Sequence, residues 1–206
     1  MLEELIIRSL ADTLPDQTLD ALFLFGQTED NQESGFAVAR QLLEQERVQK
    51  VLFLKTKPLS GYPGYEAWHR ELVSRGISPQ RIEGIPDPGT AYLHTLIEAE
   101  AMAKHAKAKG YQTVAVAAAP FQQPRAFMAA ATAARRHYPQ LCLYSIPGKA
   151  LPWCREATHS QGKVENTRAG LIAGEMERIH KYNAQGDLDS VGQVLSYLNR
   201  RDSKQL

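Results

Sequence analysis

The feature that most constrains the fold is a short apolar run followed at once by a proline-containing turn and an alanine-rich stretch. Residues 114–119 read VAVAAA, and an apolar run without polar alternation is typical of a parallel strand buried on both faces. Pro120 ends the run, and Pro124 has the fixed φ that is favoured at the start of a helix. Residues 126–136 then continue as a helix, so the segment predicts a strand, a tight turn and a helix in direct succession.

Further apolar stretches indicate the other strands of a sheet. They lie at residues 21–25, 51–54, near Ile82 and at 141–145. Continuously apolar strands favour a parallel sheet that helices cover on both faces. We therefore predict an α/β fold, a Rossmann-like three-layer sandwich with a mostly parallel sheet of about five strands and extra C-terminal helices.

Helical spacing of apolar residues and capping residues predict the helices. A chain of 206 residues is expected to form one domain, with its core at about 20–146 and a helical appendage at about 164–200. Asp30 or Asn31, Thr90 and Asp187 are the expected N-terminal caps. The helices are predicted at residues 2–14, 32–46, 65–75 and 90–110, followed by one helix with an apolar stripe of Leu171, Ile172, Met176 and Ile179 and by a final helix.

Composition excludes several classes of protein. The net charge of +1 favours neither nucleic-acid nor membrane-surface binding. The longest apolar runs are too short to span a bilayer, and the acidic start at residues 1–4 does not suit a secretory signal. Cys142 and Cys154 do not form a disulfide scaffold, and their spacing does not suit a structural zinc site. We expect a cytoplasmic protein without a membrane anchor or a bound metal.

The turn after the central strand is a candidate ligand site. In an open α/β sheet, ligands bind beyond the carboxyl ends of the strands, where turns meet helix N-termini. Phe121, Gln122 and Gln123 occupy this turn. Arg125 follows in the first helical turn, where a cation opposes the helix dipole. Either a bound anion or a carboxylate of the protein is therefore expected beside Arg125.

Two other strand ends carry polar residues. Gly26 and Gln27 follow the first strand, and the next residues, Glu29 and Asp30, suit either a solvated loop and cap or contacts to ribose hydroxyls or a cation. Residues 55–57 read KTK after the second strand, where lysines would suit a phosphate. Neither the G-x-G-x-x-G fingerprint nor a P-loop is present.

The helix predicted from Thr90 adds three candidates. His94 and Glu98 are four residues apart and are therefore neighbours on one helical face. They form either an intrahelical pair on a partly exposed face or, with Thr95, part of the site, since this helix starts at the ligand-binding edge. Cys154 and His159 suit Cys–His catalysis or half of a metal site, but no third group supports either interpretation.

The order of four motifs resembles the YdcF/SanA/ElyC family of bacterial proteins. Residues 20–26 (DALFLFG) resemble the family's D-x-(apolar)-L-G-G strand, and residues 76–82 resemble its G-V-x-P-x-x-I segment. Thr95 and Glu98 lie where the family has N-T-x-E-[EN]-A. Residues 120–126 resemble its T-S-x-[YF]-H-x-x-R-A turn. The last two motifs are the most specific.

The resemblance covers roughly residues 20–144 and has clear departures. Gln27 stands for the family's second glycine, residues 55–57 for its S-G-G, His94 for its Asn and Gln122 for its His. If that His or Asn is catalytic in the family, this chain is a divergent or inactive member. The positions that match residue by residue are Gly26, Thr95, Glu98 and Arg125.

The resemblance implies a Rossmann-like fold and, for many members, an envelope-linked role, often with a membrane anchor that this chain is expected to lack. One hypothesis is a protein or enzyme that binds a small anionic ligand: a nucleotide, a sugar phosphate or an adenosyl cofactor. The predicted ligand-binding residues are Gly26, Gln27, Thr95, Glu98, Phe121, Gln122 and Arg125, with Glu98, Thr95 and His94 as catalytic candidates. The alternative is a non-catalytic regulatory or interaction module, for which the C-terminal helices would form a partner or homodimer surface.

Overall fold

The centre of the structure is a five-stranded parallel sheet. The computed structural model describes residues 1–159 and 164–204. The sheet order is β3-β2-β1-β4-β5, and every neighbouring pair is parallel, which confirms the predicted fold class. The strands are β1 (Ala21–Leu24), β2 (Val51–Lys55), β3 (Ile82–Pro86), β4 (Thr113–Ala117) and β5 (Cys142–Ser145).

Helices cover both faces of this sheet, and a small hairpin precedes the last two helices. The hairpin is antiparallel and consists of β6 (Glu156–His159) and β7 (Val164–Thr167). Within the described part of the chain, no helix is both long enough and apolar enough to cross a membrane. The helices are α1 (Leu2–Leu10), α2 (Glu29–Glu44), α3 (Tyr65–Ser74), α4 (Thr95–Lys109), α5 (Gln123–His137), α6 (Arg168–Ala184) and α7 (Val191–Asp202).

The alanine-rich helix α5 lies in the interior. Residues 123–134 are all buried, and α5 contacts α1, α4, α6 and α7 as well as β4 and β5. Alanine side chains are small enough to let neighbouring helices approach closely on several sides, whereas larger residues would force them apart. The buried side chain of Gln123 accepts a hydrogen bond from the backbone N–H of Ala118 and donates to Val116 O and Ser145 Oγ. These bonds fix the turn between β4 and α5.

Several predicted helix boundaries are wrong. Helix α4 begins at Thr95 with His94 as its N-cap, and the hydroxyl of Thr90 donates to Tyr92 O instead of capping a helix. Helix α7 begins after Ser190, which forms a capping box with Gln193, so Asp187 is not its cap. Helix α1 ends at Leu10 rather than at residue 14, and Thr28 precedes α2, so Asp30 and Asn31 are helical residues.

Candidate functional site

A cavity of about 310 Å³ lies at the carboxyl edge of the sheet, beyond β1 and β4. The chain leaves β1 toward β2 on one side and returns to β4 on the other, so this edge is the topological switch point of the sheet, where open α/β folds bind ligands. Six of the predicted ligand-binding residues line it, and His94 lines it too. The six are Gly26, Gln27, Thr95, Glu98, Gln122 and Arg125.

Glu98 is a buried carboxyl group held against the end of β1. Its Oε2 accepts a hydrogen bond of 2.6 Å from the backbone N–H of Gly26, and the side chain is 6% exposed. A Cβ atom at Gly26 would lie 3.1 Å from the same oxygen, so a glycine allows this close approach. Burial raises the pKa of Glu98 to about 7, against the opposing effects of the Gly26 N–H and the charge of Arg125. Glu98 is therefore suited to exchange a proton near neutral pH.

Four polar side chains that line the cavity are linked by hydrogen bonds. Gln27 Nε2 donates to Gln122 Oε1 at 2.8 Å, and Gln122 Nε2 lies 3.5 Å from Thr95 Oγ1. Arg125 Nη1 donates to the same hydroxyl oxygen at 2.6 Å. Since Thr95 accepts hydrogen bonds here, its own hydroxyl proton remains for donation. These four residues are thus oriented by one another.

Arg125 is a buried cation in the first turn of α5. It is 7% exposed, and its Nε and Nη2 donate to the two carboxylate oxygens of Glu175 at 2.6 and 3.2 Å. Glu175 itself has no exposed surface. Of the two partners expected for Arg125, a carboxylate of the protein is present. This pair ties α5 to α6.

Glu175 also binds two residues that the sequence analysis did not assign to the site. His159 Nε2 lies 2.8 Å from Glu175 Oε1, and Arg178 Nη1 donates to the same oxygen at 2.8 Å. Burial alone would raise the pKa of Glu175, but the charge of Arg125 and hydrogen bonds from His159 and Arg125 outweigh it and lower the pKa to about 2. Arg125, His159 and Arg178 line the cavity, whereas the carboxylate lies behind them. We call these three side chains the cationic wall.

One signal in the sequence would have identified Glu175. Leu171, Glu175 and Ile179 are spaced by four residues and therefore share a helical face, and all three are buried. A carboxylate on a buried apolar stripe requires a cationic partner. Ile172, which was assigned to that stripe, is instead 40% exposed.

His94 has a structural role at the start of α4. Its Nδ1 accepts a hydrogen bond of 3.4 Å from the backbone N–H of Ile97, so the ring acts as the N-cap. Burial lowers the pKa of His94, which favours the neutral ring that this acceptor role needs. Glu98 binds Gly26 instead of pairing with His94.

Other candidates lie outside the cavity. Phe121 packs its ring perpendicular to His159 at 5.1 Å and supports that side chain without lining the cavity. Lys55 lies over the ring of Tyr65, and Asp30 accepts the backbone N–H of Thr158. Cys142 and Cys154 are free thiols. Among the described residues, no group of three or more His, Cys, Asp or Glu side chains is placed to hold a metal ion.

Comparisons of the chain with protein-family models, curated proteins and solved structures found no match. Functional inference therefore rests on the geometry of the cavity and on the residues that line it.

Proposed function

We propose that this chain binds a small anionic molecule, such as a sugar phosphate or a nucleotide, in the cavity at the carboxyl edge of the sheet. The resemblance to the YdcF/SanA/ElyC family extends the proposal to an enzyme of envelope-related metabolism, and an adenosyl cofactor is a further ligand of suitable kind. A cavity of about 310 Å³ lies at the lower end of the range for small-molecule sites.

The observation that carries this proposal is the charge balance around Glu175. Two guanidinium groups, those of Arg125 and Arg178, share this one carboxylate with the ring of His159. Guanidinium groups are charged at every physiological pH, so the cluster carries an excess of positive charge. Because Glu175 lies behind the cationic wall, this excess faces the cavity, where Glu98 offsets it only when ionised. An excess of charge in a partly desolvated site favours a counter-ion there.

Arg178 is the better placed of the two arginines to contact a ligand. Its side chain is 20% exposed, against 8% for Arg125. A guanidinium has five N–H donors, and within the described residues Arg178 directs hydrogen bonds to Glu175 through Nη1 alone. Its remaining donors are therefore available to a bound anion.

In this proposal Glu98 is the residue that gives a proton to the ligand or accepts one from it. It lines the same cavity as the cationic wall, and burial raises its pKa to about 7. A carboxyl group with a pKa near the working pH can both give and accept a proton. Thr95 and the backbone at the start of α4 would help to orient the ligand.

The proposal predicts that Arg178→Gln weakens anion binding. Titration calorimetry with ribose 5-phosphate and with inorganic phosphate should show affinities about 10- to 100-fold lower than those of the unchanged chain, the loss expected for hydrogen bonds to a charged group. The matched control is Arg40→Gln, which also removes one positive charge but breaks only a surface pair with Glu44. Equal affinities in the two variants would contradict the proposal.

A non-catalytic module is a second candidate, and two observations favour it. Arg125 already has a carboxylate partner in Glu175, and Gln122 and His94 occupy the positions where the resembled family has His and Asn. In that case the cavity would bind a regulatory ligand without converting it. Assays of turnover with a panel of phosphorylated metabolites distinguish the two, since an enzyme loses turnover in Glu98→Gln and a binding module shows none in either form.

A further inference from the structure

We propose that the ligand of this cavity is a hydroxylated phosphate ester of the sugar-phosphate type, whose hydroxyl groups contact Gln27 and Glu98 while its phosphate contacts the cationic wall. The inference rests on the proposed function and narrows the ligand from small anions in general to anions that also carry hydroxyl groups. It makes Gln27 a residue that determines specificity.

The orientation of the Gln27 amide leaves its oxygen available. The amide nitrogen Nε2 lies 3.5 Å from the backbone carbonyl oxygen of Phe25 and donates to Gln122 Oε1 at 2.8 Å. A carbonyl oxygen only accepts hydrogen bonds, so the Phe25 carbonyl requires the nitrogen on this side of the amide. The oxygen Oε1 of Gln27 lies on the other side and has no hydrogen-bond partner among the described residues.

Glu98 provides a second available oxygen. The backbone N–H of Gly26 holds its Oε2, whereas Oε1 has no hydrogen-bond partner within the part of the chain that the structure describes. Neither this oxygen nor Gln27 Oε1 is completely buried, although the two side chains are only 5% and 6% exposed. Since both residues line the cavity, a ligand in the cavity can reach both oxygens.

These oxygens and the cationic wall belong to different parts of the cavity. The wall comes from α5, β6 and α6, whereas the two oxygens lie beside the end of β1. Gln27, Gln122, Thr95 and Arg125 are linked by hydrogen bonds in this order. The side chains of Gln122 and Thr95 therefore separate the Gln27 amide from the wall. A ligand that spans this distance carries its anionic group at the wall and other polar groups near β1.

A hydroxyl group is the polar group that fits best near β1. The Thr95 hydroxyl proton remains for donation, so a ligand group between Thr95 and Gln27 must accept one hydrogen bond and donate another. Glu98 has a pKa of about 7, so near neutral pH it presents a carboxylate to some ligand molecules and a carboxylic acid to others. A hydroxyl group both donates and accepts, whereas an ammonium group only donates and an ether oxygen only accepts. A neutral hydroxyl group also suits either charge state of Glu98.

The test compares two phosphate esters that differ only in their hydroxyl groups. Ribose 5-phosphate and tetrahydrofurfuryl phosphate share the phosphate and the five-membered ring, but only ribose 5-phosphate carries hydroxyl groups. In titration calorimetry the unchanged chain should bind ribose 5-phosphate about 10- to 100-fold more tightly, the gain expected for two or more hydrogen bonds. Gln27→Met removes the amide at nearly constant side-chain length. It should lower this preference about 3- to 10-fold and change the affinity for tetrahydrofurfuryl phosphate by less than about 3-fold.

The matched control is Gln41→Met, which changes an exposed glutamine on α2 and should retain the full preference. Equal affinities of the unchanged chain for the two esters would contradict the inference and leave the anion site in place. A preference that persists in Gln27→Met would contradict the role of Gln27. Failure of both esters to bind the unchanged chain would contradict the proposed function itself.

A measurement on the unchanged chain covers the case in which Gln27→Met does not fold. Ribose 5-phosphate is compared with its 2-deoxy and 3-deoxy analogues, each of which lacks one hydroxyl group. At least one analogue should bind about 3- to 10-fold more weakly, the loss expected for one hydrogen bond. Equal affinities for all three esters would contradict the inference, because the ring hydroxyl groups would then make no contact with the cavity.

Discussion

Glu98 shows how one residue can combine a structural contact with a chemical one. The side chain lies under the end of β1, and its oxygen replaces solvent as the acceptor for the Gly26 N–H. Burial disfavours the charged carboxylate, and the single backbone donor and the nearby Arg125 do not fully offset this. An ionised Glu98 therefore destabilises the fold, and the effect depends on pH.

Replacement of Glu98 by Gln should change the pH dependence of stability. Between the ordinary pKa of 4.5 and the folded value of about 7, the folded chain binds more protons than the unfolded chain. The contribution of Glu98 to the free energy of unfolding therefore falls as pH rises through this window, by at most about 3 kcal/mol, and is flat above it. Denaturant unfolding at about pH 5 and about pH 8 should show a smaller fall for Glu98→Gln than for the unchanged chain.

The control for this experiment is Glu66→Gln, which alters an exposed carboxylate on α3. The stability of Glu66→Gln should fall with pH as much as that of the unchanged chain. If the stability of Glu98→Gln falls equally, Glu98 does not change its protonation in the folded state over this range.

Arg125 marks the limit of residue-scale prediction. A cation in a first helical turn indicates a nearby negative charge, and the structure contains one. The sequence did not locate that charge, because Glu175 lies 50 residues further along the chain and only tertiary folding brings it close. Arg178, being more exposed, is the better residue for testing anion binding.

At the scale of elements, α7 protects the edge strand β5. The hydroxyl of Tyr197 accepts from the backbone N–H of Leu143 and donates to Leu141 O, both at 2.7 Å. Arg201 forms a bidentate ion pair with Asp12, with N–O distances of 2.6 and 2.7 Å, and donates a hydrogen bond to Leu143 O at 2.8 Å. These side chains satisfy backbone groups that an edge strand would otherwise expose to other chains.

Arg201→Ala should therefore destabilise the fold strongly. The side chains of Arg201 and Asp12 are 4% and 6% exposed, and removal of one partner of a buried pair costs about 3–5 kcal/mol. Arg200→Ala is the matched control, since Arg200 is the exposed neighbour on the same helix and its loss should cost about 0.5 kcal/mol or less. Denaturant unfolding of the two variants measures the difference, and equal stabilities would show that α7 does not hold the edge through this pair.

The central elements were predictable for a physical reason, and the hairpin was not. Buried parallel strands must be apolar along their whole length, so runs such as 114–119 stand out. In contrast, β6 and β7 carry Glu156, Thr158 and Glu165 on short strands, and their composition resembles that of a loop. These two strands contact helices α2 and α6. Thr90 and Asp187 were plausible caps by residue type, but tertiary packing starts the helices at later residues.

At the scale of the whole molecule, the topology of the sheet explains why the site residues that follow its strands could be predicted. Parallel strands deliver their following loops to one edge, so the convergence of Gly26, Thr95, Glu98 and Arg125 followed from chain order. The cationic wall comes partly from β6 and α6, whose positions depend on how the C-terminal elements dock. No local pattern specifies that docking, although the buried position of Glu175 on its helix indicated that a cation must meet it.

The most direct measurement is anomalous diffraction from crystals of the unchanged chain and of Arg178→Gln, both soaked in selenate, a dianion related to sulfate. A selenium peak is expected in the cavity within about 4 Å of the Arg178 guanidinium nitrogens, the reach of an ion pair, with the ring of His159 on the same wall. The peak should be much weaker in Arg178→Gln at the same selenate concentration, since this variant is expected to bind the anion less tightly. Selenate bound only on the outer surface, or equal peaks in both crystals, would contradict an anion site built on the cationic wall.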